Sequence, residues 1–146
     1  MIMSSITPYF YRVSLFTLAF CLLLLGGCND GNPQRVAVEG KVLVDGEPLT
    51  RGSIMFVPEG GRPSSSRIAS DGSFVLGCFH DNDGALLGVH KVAVIAKTIV
   101  SDSKVKWHAP RRYNNYMNSG LTVEVTEPIH DLVIELTTED DKKRRS

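Results

Sequence analysis

The segment between Thr98 and Gly120 holds the richest collection of side chains suited to binding. Aromatic rings, planar cations and an amide together suit the faces of sugars or the surface of a protein partner. Trp107 and Tyr113 could instead close one end of a hydrophobic core. We define the candidate binding loop by these side chains: Trp107, His108, Arg111, Arg112, Tyr113, Asn114 and Tyr116.

Other reactive residues are scattered along the chain without a pattern specific to one reaction. Two histidines and two tyrosines can together bind iron. His108, His130, Tyr113 and Tyr116 could supply such a set, but the chain has no closely spaced histidine pair. The run Ser64-Ser65-Ser66 has no histidine near it, and a loop rich in Gly and Pro explains it. The sequence predicts no metal, cofactor or catalytic residue.

One acidic motif could begin a calcium loop. Asp81-Asn82-Asp83-Gly84 places oxygen ligands at alternating positions, but Val92 stands where such a loop needs its twelfth-position glutamate. The motif is therefore interpreted as a turn. The alternative to a non-catalytic domain is a cryptic metal-binding or hydrolytic enzyme, in which the scattered groups would meet in the fold.

The amino terminus follows the layout of a signal peptide, predicted over residues 1–27. Arg12 precedes an apolar run of thirteen residues, Val13 to Leu25, and two glycines separate that run from Cys28. A helix of that length spans about 20 Å, which is short of the roughly 30 Å of bilayer hydrocarbon. The run is therefore a poor transmembrane helix.

The string Leu25-Gly26-Gly27-Cys28 resembles the lipobox of bacterial lipoproteins. This resemblance implies cleavage just before Cys28 and acyl chains such as palmitate on its thiol and new amino group. Membrane lipid is then the first partner, the protein is extracytoplasmic in the cell envelope, and residues 28–35 form a lipidated tether. Asn29 after the cysteine favours the outer over the inner membrane. The alternative is a segment that is uncut or cut by another peptidase.

Composition limits the remaining possibilities. All sixteen acidic residues and fifteen of the sixteen basic residues follow Cys28, so the mature chain of 119 residues has a formal charge of minus one. No electrostatic preference for nucleic acid is expected. Cys78 would have no partner for an internal disulfide and is predicted to be a small buried apolar residue. Residues 138–146 are predicted to be a solvated charged tail.

Between tether and tail the apolar residues recur with period two, as in Val36, Val38, Val42 and Val44. Asp-Gly turns at Asp45, Asp71 and Asp83 separate the runs. Six or seven short strands without helical periodicity predict an antiparallel β-sandwich, with Thr98 to Gly120 as its one long loop. His90 shares a face with Val92 and Val94, so it is expected inside, neutral and hydrogen-bonded.

The order of these motifs resembles the carboxypeptidase regulatory-like, or transthyretin-like (prealbumin-like), domains found in small bacterial lipoproteins. The resemblance covers residues 36–137 and implies a seven-stranded Greek-key β-sandwich with a structural or binding role in the envelope and no catalysis. The possible partners are an envelope protein or a polysaccharide. Its main carriers are Val38-Glu39-Gly40-Lys41-Val42, Asp45-Gly46-Glu47-Pro48-Leu49, Gly52-Ser53-Ile54-Met55-Phe56-Val57-Pro58, Asp71-Gly72-Ser73-Phe74, Asp83-Gly84-Ala85 and Pro110-Arg111-Arg112-Tyr113.

Overall fold

A computed structural model describes residues 31–138 of the chain. The segment that begins at Pro33 is one compact unit. The predicted signal peptide, Cys28 and all but the first residue of the charged tail lie outside the described residues. Among the described residues, no helix is long and apolar enough to cross a membrane.

The domain is all-β, as the alternating pattern predicts. In chain order its strands are β1 (Arg35–Val36), β2 (Val38–Val44), β3 (Glu47–Pro48), β4 (Gly52–Pro58), β5 (Ser64–Ile68), β6 (Ser73–Val75), β7 (Ala85–Leu86), β8 (Gly88–Ile95), β9 (Lys97–Ser101), β10 (Lys104–Trp107), β11 (Leu121–Val125) and β12 (Ile129–Leu136). A single 3-10 turn, Arg111–Asn114, separates β10 from β11 in this part of the chain.

The first sheet has four antiparallel strands in the order β11-β8-β4-β5. Its strands alternate as predicted: Ile54 and Phe56 of β4 are buried, while Met55 and Val57 between and after them are partly exposed. In β8, His90, Val92 and Val94 are all buried on the face that was expected to point inward. The apolar period of two therefore located both central strands.

The second sheet joins β12, β2 and β3, and β6 also pairs with β2. The prediction of purely antiparallel pairing is wrong here, because β12 runs parallel to β2, with Ile134 beside Val42. Alternating side chains carry no information on strand direction, and these strands come from opposite ends of the domain. Gly40 allows the close approach, since a Cβ there would lie 1.9 Å from the carbonyl oxygen of Leu132.

Both sheets contribute to one hydrophobic core. The rings of Phe56 from the first sheet and Phe74 from the β2 side lie 6.4 Å apart between centroids. The fully buried members include Val38 and Val42 from β2 and Leu136 from β12. Because every core member lies between residues 36 and 136, the unit from Pro33 onward contains the hydrophobic core that independent folding requires.

Two predicted loops contain strands. Ser64, Ser65 and Ser66 belong to β5, which pairs with β4 along its whole length. Backbone pairing holds the strand in place, and buried Ser64 and Ile68 alternate with exposed Ser65 and Arg67. Because β5 has few apolar residues, the apolar pattern did not predict it. Likewise, the long segment from Thr98 contains most of the β9–β10 hairpin before the 3-10 turn.

The two ends of the first sheet receive different parts of the chain. β1, where the chain enters the domain, pairs with β7 immediately before β8 begins. The β9–β10 hairpin starts immediately after β8 ends at Ile95. β8 has eight residues, and at 3.3 Å per residue these span about 26 Å. The entry and the hairpin therefore lie at opposite ends of β8.

Candidate functional site

The β9–β10 hairpin presents an exposed surface that is both apolar and basic. Ile99 and Val105 are cross-strand partners with exposures of 71% and 43%. Next to them, Trp107 pairs with Lys97, whose Nζ lies 5.9 Å from the ring centroid. The guanidinium of Arg111 covers the same ring at 4.9 Å. Cations over an indole face hold these side chains together. Both cations are exposed, and the ring between them is half-buried.

Arg112 and Tyr113, although neighbours of Arg111, have a packing role. Tyr113 is 2% exposed and belongs to the core cluster. Its hydroxyl accepts a hydrogen bond from the backbone N–H of Thr137 at 3.1 Å and another from the Arg112 guanidinium. That guanidinium stacks over the Tyr113 ring at 4.3 Å and reaches the Thr137 hydroxyl at 3.4 Å. The pair ties the 3-10 turn to the end of β12.

The other members of the candidate loop are divided between packing and exposure. His108 is half-buried, and its Nε2 lies 2.9 Å from the hydroxyl oxygen of Thr98. Burial lowers the pKa of His108 most, and the positive charges of Arg51 and Lys106 lower it further. Tyr116 is exposed at 37%. The structure thus leaves Arg111, Asn114 and Tyr116 exposed and Trp107 half-buried, with its indole nitrogen buried and without a hydrogen-bond partner among the described residues.

The scattered histidines have separate structural partners. His90 is completely buried, and its Nε2–H donates to the carbonyl oxygen of Leu86 at 2.7 Å, so the expected inward, hydrogen-bonded position is confirmed. His130 Nδ1 lies 2.7 Å from a carboxylate oxygen of Glu39 on the outer face of β2 and β12. Within residues 31–138, no three His, Cys, Asp or Glu side chains form a group that could hold a metal ion.

The Asp83 turn organises the segment before it. Its Oδ1 accepts from the backbone N–H of Cys78 at 2.6 Å, and its Oδ2 accepts from Phe79 at 3.2 Å, from His80 at 3.0 Å and from Arg35 Nε at 2.7 Å. Burial raises the pKa of Asp83, but these hydrogen bonds together outweigh it and hold the pKa below its ordinary value. Both carboxylate oxygens of Asp83 therefore accept hydrogen bonds within the domain, which agrees with the interpretation of the motif as a turn.

A groove of about 770 Å³ runs beside β4 and β5. This volume lies in the range of small-molecule sites. On one side stand Ser53, Met55, Ser65 and Arg67 from the two strands, with Arg62 just before β5, and on the other the segment from Gly77 to Asn82. Cys78 is also part of its lining but is 6% exposed, so the prediction of a buried cysteine is confirmed.

Sequence reasoning missed this groove because β5 was interpreted as a loop. An available signal was the alternation of Ser64 and Ile68 with Ser65 and Arg67, which would have placed Arg67 on the outer face. No signal in the sequence indicates that Gly77 bridges to Ser65 and brings the following segment alongside.

Comparisons with protein-family models, with curated proteins and with solved structures found no match for this chain.

Proposed function

We propose that this chain is a lipid-anchored extracytoplasmic protein whose β-domain acts by binding, as a structural or recognition module of the cell envelope. The observation that carries the proposal is the arrangement of the domain's ends: the chain enters beside β7, and the hairpin, with its exposed cations and half-buried indole, lies at the opposite end of β8. A module held by Cys28 would present that hairpin away from the membrane that anchors it.

The length of the tether supports this arrangement. From Asn29 to the first strand residue, Arg35, seven extended residues reach at most about 25 Å, so the entry end would stay near the lipid headgroups. Two or three acyl chains on Cys28 would make the attachment effectively permanent, since a single chain anchors only marginally. Outer-membrane sorting is favoured by Asn29.

Strand content supports a domain of the transthyretin-like or carboxypeptidase regulatory-like kind. Leaving aside the two-residue strands and the hairpin, seven strands remain: β11, β8, β4 and β5 in the first sheet, and β12, β2 and β6 in the second. This count equals the seven strands expected for a sandwich whose two sheets share one core. We therefore propose the Greek-key β-sandwich as the finer description of the fold.

Substitution of the two cysteines of the amino-terminal segment tests the anchor. Cys28→Ala should abolish incorporation of labelled palmitate and move the protein from the membrane to the soluble fraction. Cys21→Ala removes a cysteine seven residues earlier and should leave labelling and fractionation unchanged. Palmitate incorporation into the Cys28→Ala protein would refute the anchor.

Retention of the domain on immobilised envelope polysaccharide, and on detergent-extracted envelope proteins, tests the hairpin surface. Trp107→Ala and Arg111→Ala should each weaken retention, because they remove the partly exposed ring and the cation over it. Lys41→Ala, at an exposed position in the middle of β2, is the matched control, and this variant should be retained as strongly as the parent. Equal retention of all variants would remove the hairpin from the proposal.

A further inference from the structure

Two guanidinium groups line the groove beside β5 without an acidic partner. Arg62 and Arg67 are both exposed. Within residues 31–138, neither side chain forms an ion pair with a carboxylate; the guanidinium of Arg62 lies 5.4 Å from the centroid of the Phe79 ring. Asp81 is the one carboxylate in the lining, so the groove carries an excess of positive charge. Guanidinium groups bind carboxylate and phosphate through two parallel hydrogen bonds.

The wall opposite these arginines is fixed before any ligand arrives. Asp83 receives the backbone N–H groups of three consecutive wall residues, Cys78 to His80. Gly77 is paired in both directions with Ser65 of β5. A preformed site avoids the entropy cost of ordering a loop on binding.

The spacing of the charges indicates a ligand with more than one anionic group. Arg67 lies in β5 and Arg62 lies two residues before β5 begins, so their Cα atoms are separated by at most about 16 Å at 3.3 Å per residue. Between them, Ser65 faces the groove, as does Ser53 opposite Arg67. Neither hydroxyl has a hydrogen bond to another described residue, so both can bind ligand hydroxyls.

We propose that this groove binds an oligomer with repeated carboxylate or phosphate groups on a hydroxyl-rich chain, through Arg62 and Arg67. No residue of the β9–β10 hairpin lines the groove, so the two surfaces share no residue. The proposal does not depend on acylation of Cys28, and its test uses the domain without the anchor.

Calorimetric titration of residues 33–146, which contain the whole core, provides the test. Four probes separate the possibilities: a tetramer of galacturonate, its monomer, a tetramer of glycerol phosphate, and neutral maltotetraose. Binding of either anionic tetramer, at least about tenfold tighter than the monomer or the neutral tetramer, is expected. Preference for one tetramer identifies the oxyanion as carboxylate or phosphate. Equal binding of maltotetraose, or no binding of either anionic tetramer, would overturn the proposal.

Charge-neutralising variants locate the site. Arg62→Gln and Arg67→Gln should each weaken binding of the preferred tetramer about tenfold, the loss expected for one charge-assisted contact. Arg51→Gln removes the same charge near His108, outside the groove, and should weaken binding less than about twofold. All three positions are exposed, so melting midpoints should stay close to that of the parent. An equal loss in the Arg51→Gln variant would show attraction to the whole surface and refute the groove.

Discussion

Replacement of Asp83 by Asn tests whether one carboxylate holds the turn together. The change keeps an oxygen that can accept from Cys78, but it places an NH₂ group against the three donors that Oδ2 now satisfies, from Arg35, Phe79 and His80. At about 1 kcal/mol for each lost hydrogen bond, the free energy of unfolding should fall by about 3 kcal/mol. For a domain of this size the melting midpoint should drop by about 12 °C.

The pH dependence follows from the lowered pKa of Asp83. A carboxyl group whose folded pKa lies below its unfolded value, 3.8, stabilises the fold in full above that value. This stabilisation is lost as the pH falls through the lower, folded pKa. The difference in melting midpoint between the parent and Asp83→Asn should therefore be constant from pH 7 to pH 5 and shrink below about pH 4.

Thermal melting by circular dichroism, from pH 7 to pH 2, measures both effects. Asp71→Asn is the matched control, because Asp71 also precedes a turn glycine and accepts hydrogen bonds from the backbone and hydroxyl of Ser73. Asp71 is exposed, so its variant should differ much less from the parent. A shift below about 3 °C for Asp83→Asn at pH 7, or a difference that persists unchanged at pH 2, would refute the reasoning.

Three further predictions concern single side chains. Gly84→Ala should prevent folding, because Gly84 has a φ of +92° and a Cβ would lie 1.9 Å from the carbonyl oxygen of Val36. Gly46→Ala, at φ +85° with open space around it, should lower the free energy of unfolding by only about 1 kcal/mol. Soluble yield and the melting midpoint distinguish the two variants. Arg112→Ala should lower the urea midpoint more than Arg111→Ala does, since only Arg112 hydrogen-bonds the core residue Tyr113; equal midpoints would contradict this. The His108 ring should titrate below 6.5 by NMR and move upward in Arg51→Gln, because a nearby positive charge disappears; an unmoved midpoint would exclude that contribution.

The parts of the fold that the sequence predicted are those in which side-chain burial decides the structure. Val38, Val42, Ile54 and Phe56 alternate with more exposed neighbours in chain and structure alike. His90 and Cys78 were placed inside from their apolar neighbours and are buried. Backbone pairing decides the remainder. An apolar pattern predicts neither the parallel pairing of β12 with β2 nor the serine-rich strand β5.

The residues of the candidate binding loop divide into exposed and packed side chains, and the contacts that divide them cannot be predicted from their order in the sequence. Arg111, Arg112 and Tyr113 are consecutive, yet Arg111 covers a half-buried indole, Arg112 hydrogen-bonds the end of β12 and Tyr113 fills the core. A 3-10 turn rotates successive side chains by about 120°, so neighbours point in different directions. Composition could identify a region rich in aromatic and basic groups, but only the turn assigns each group to solvent or to packing.

The groove illustrates the same limit for residues far apart in the chain. Met55 and Ser65 become neighbours through the β4–β5 register, and Ser65 then bridges to Gly77. The Asp83 turn fixes the backbone that follows Gly77, so a residue predicted to form only a turn also shapes the wall opposite Arg67. Outward-facing positions carry no burial signal. A polar site that combines β4, β5 and the segment after Gly77 can therefore be recognised only when the strand register is known. Arg62 and Arg67 line one groove in this way, because the pairing of β5 with β4 and with Gly77 forms the surface beside which both charges lie.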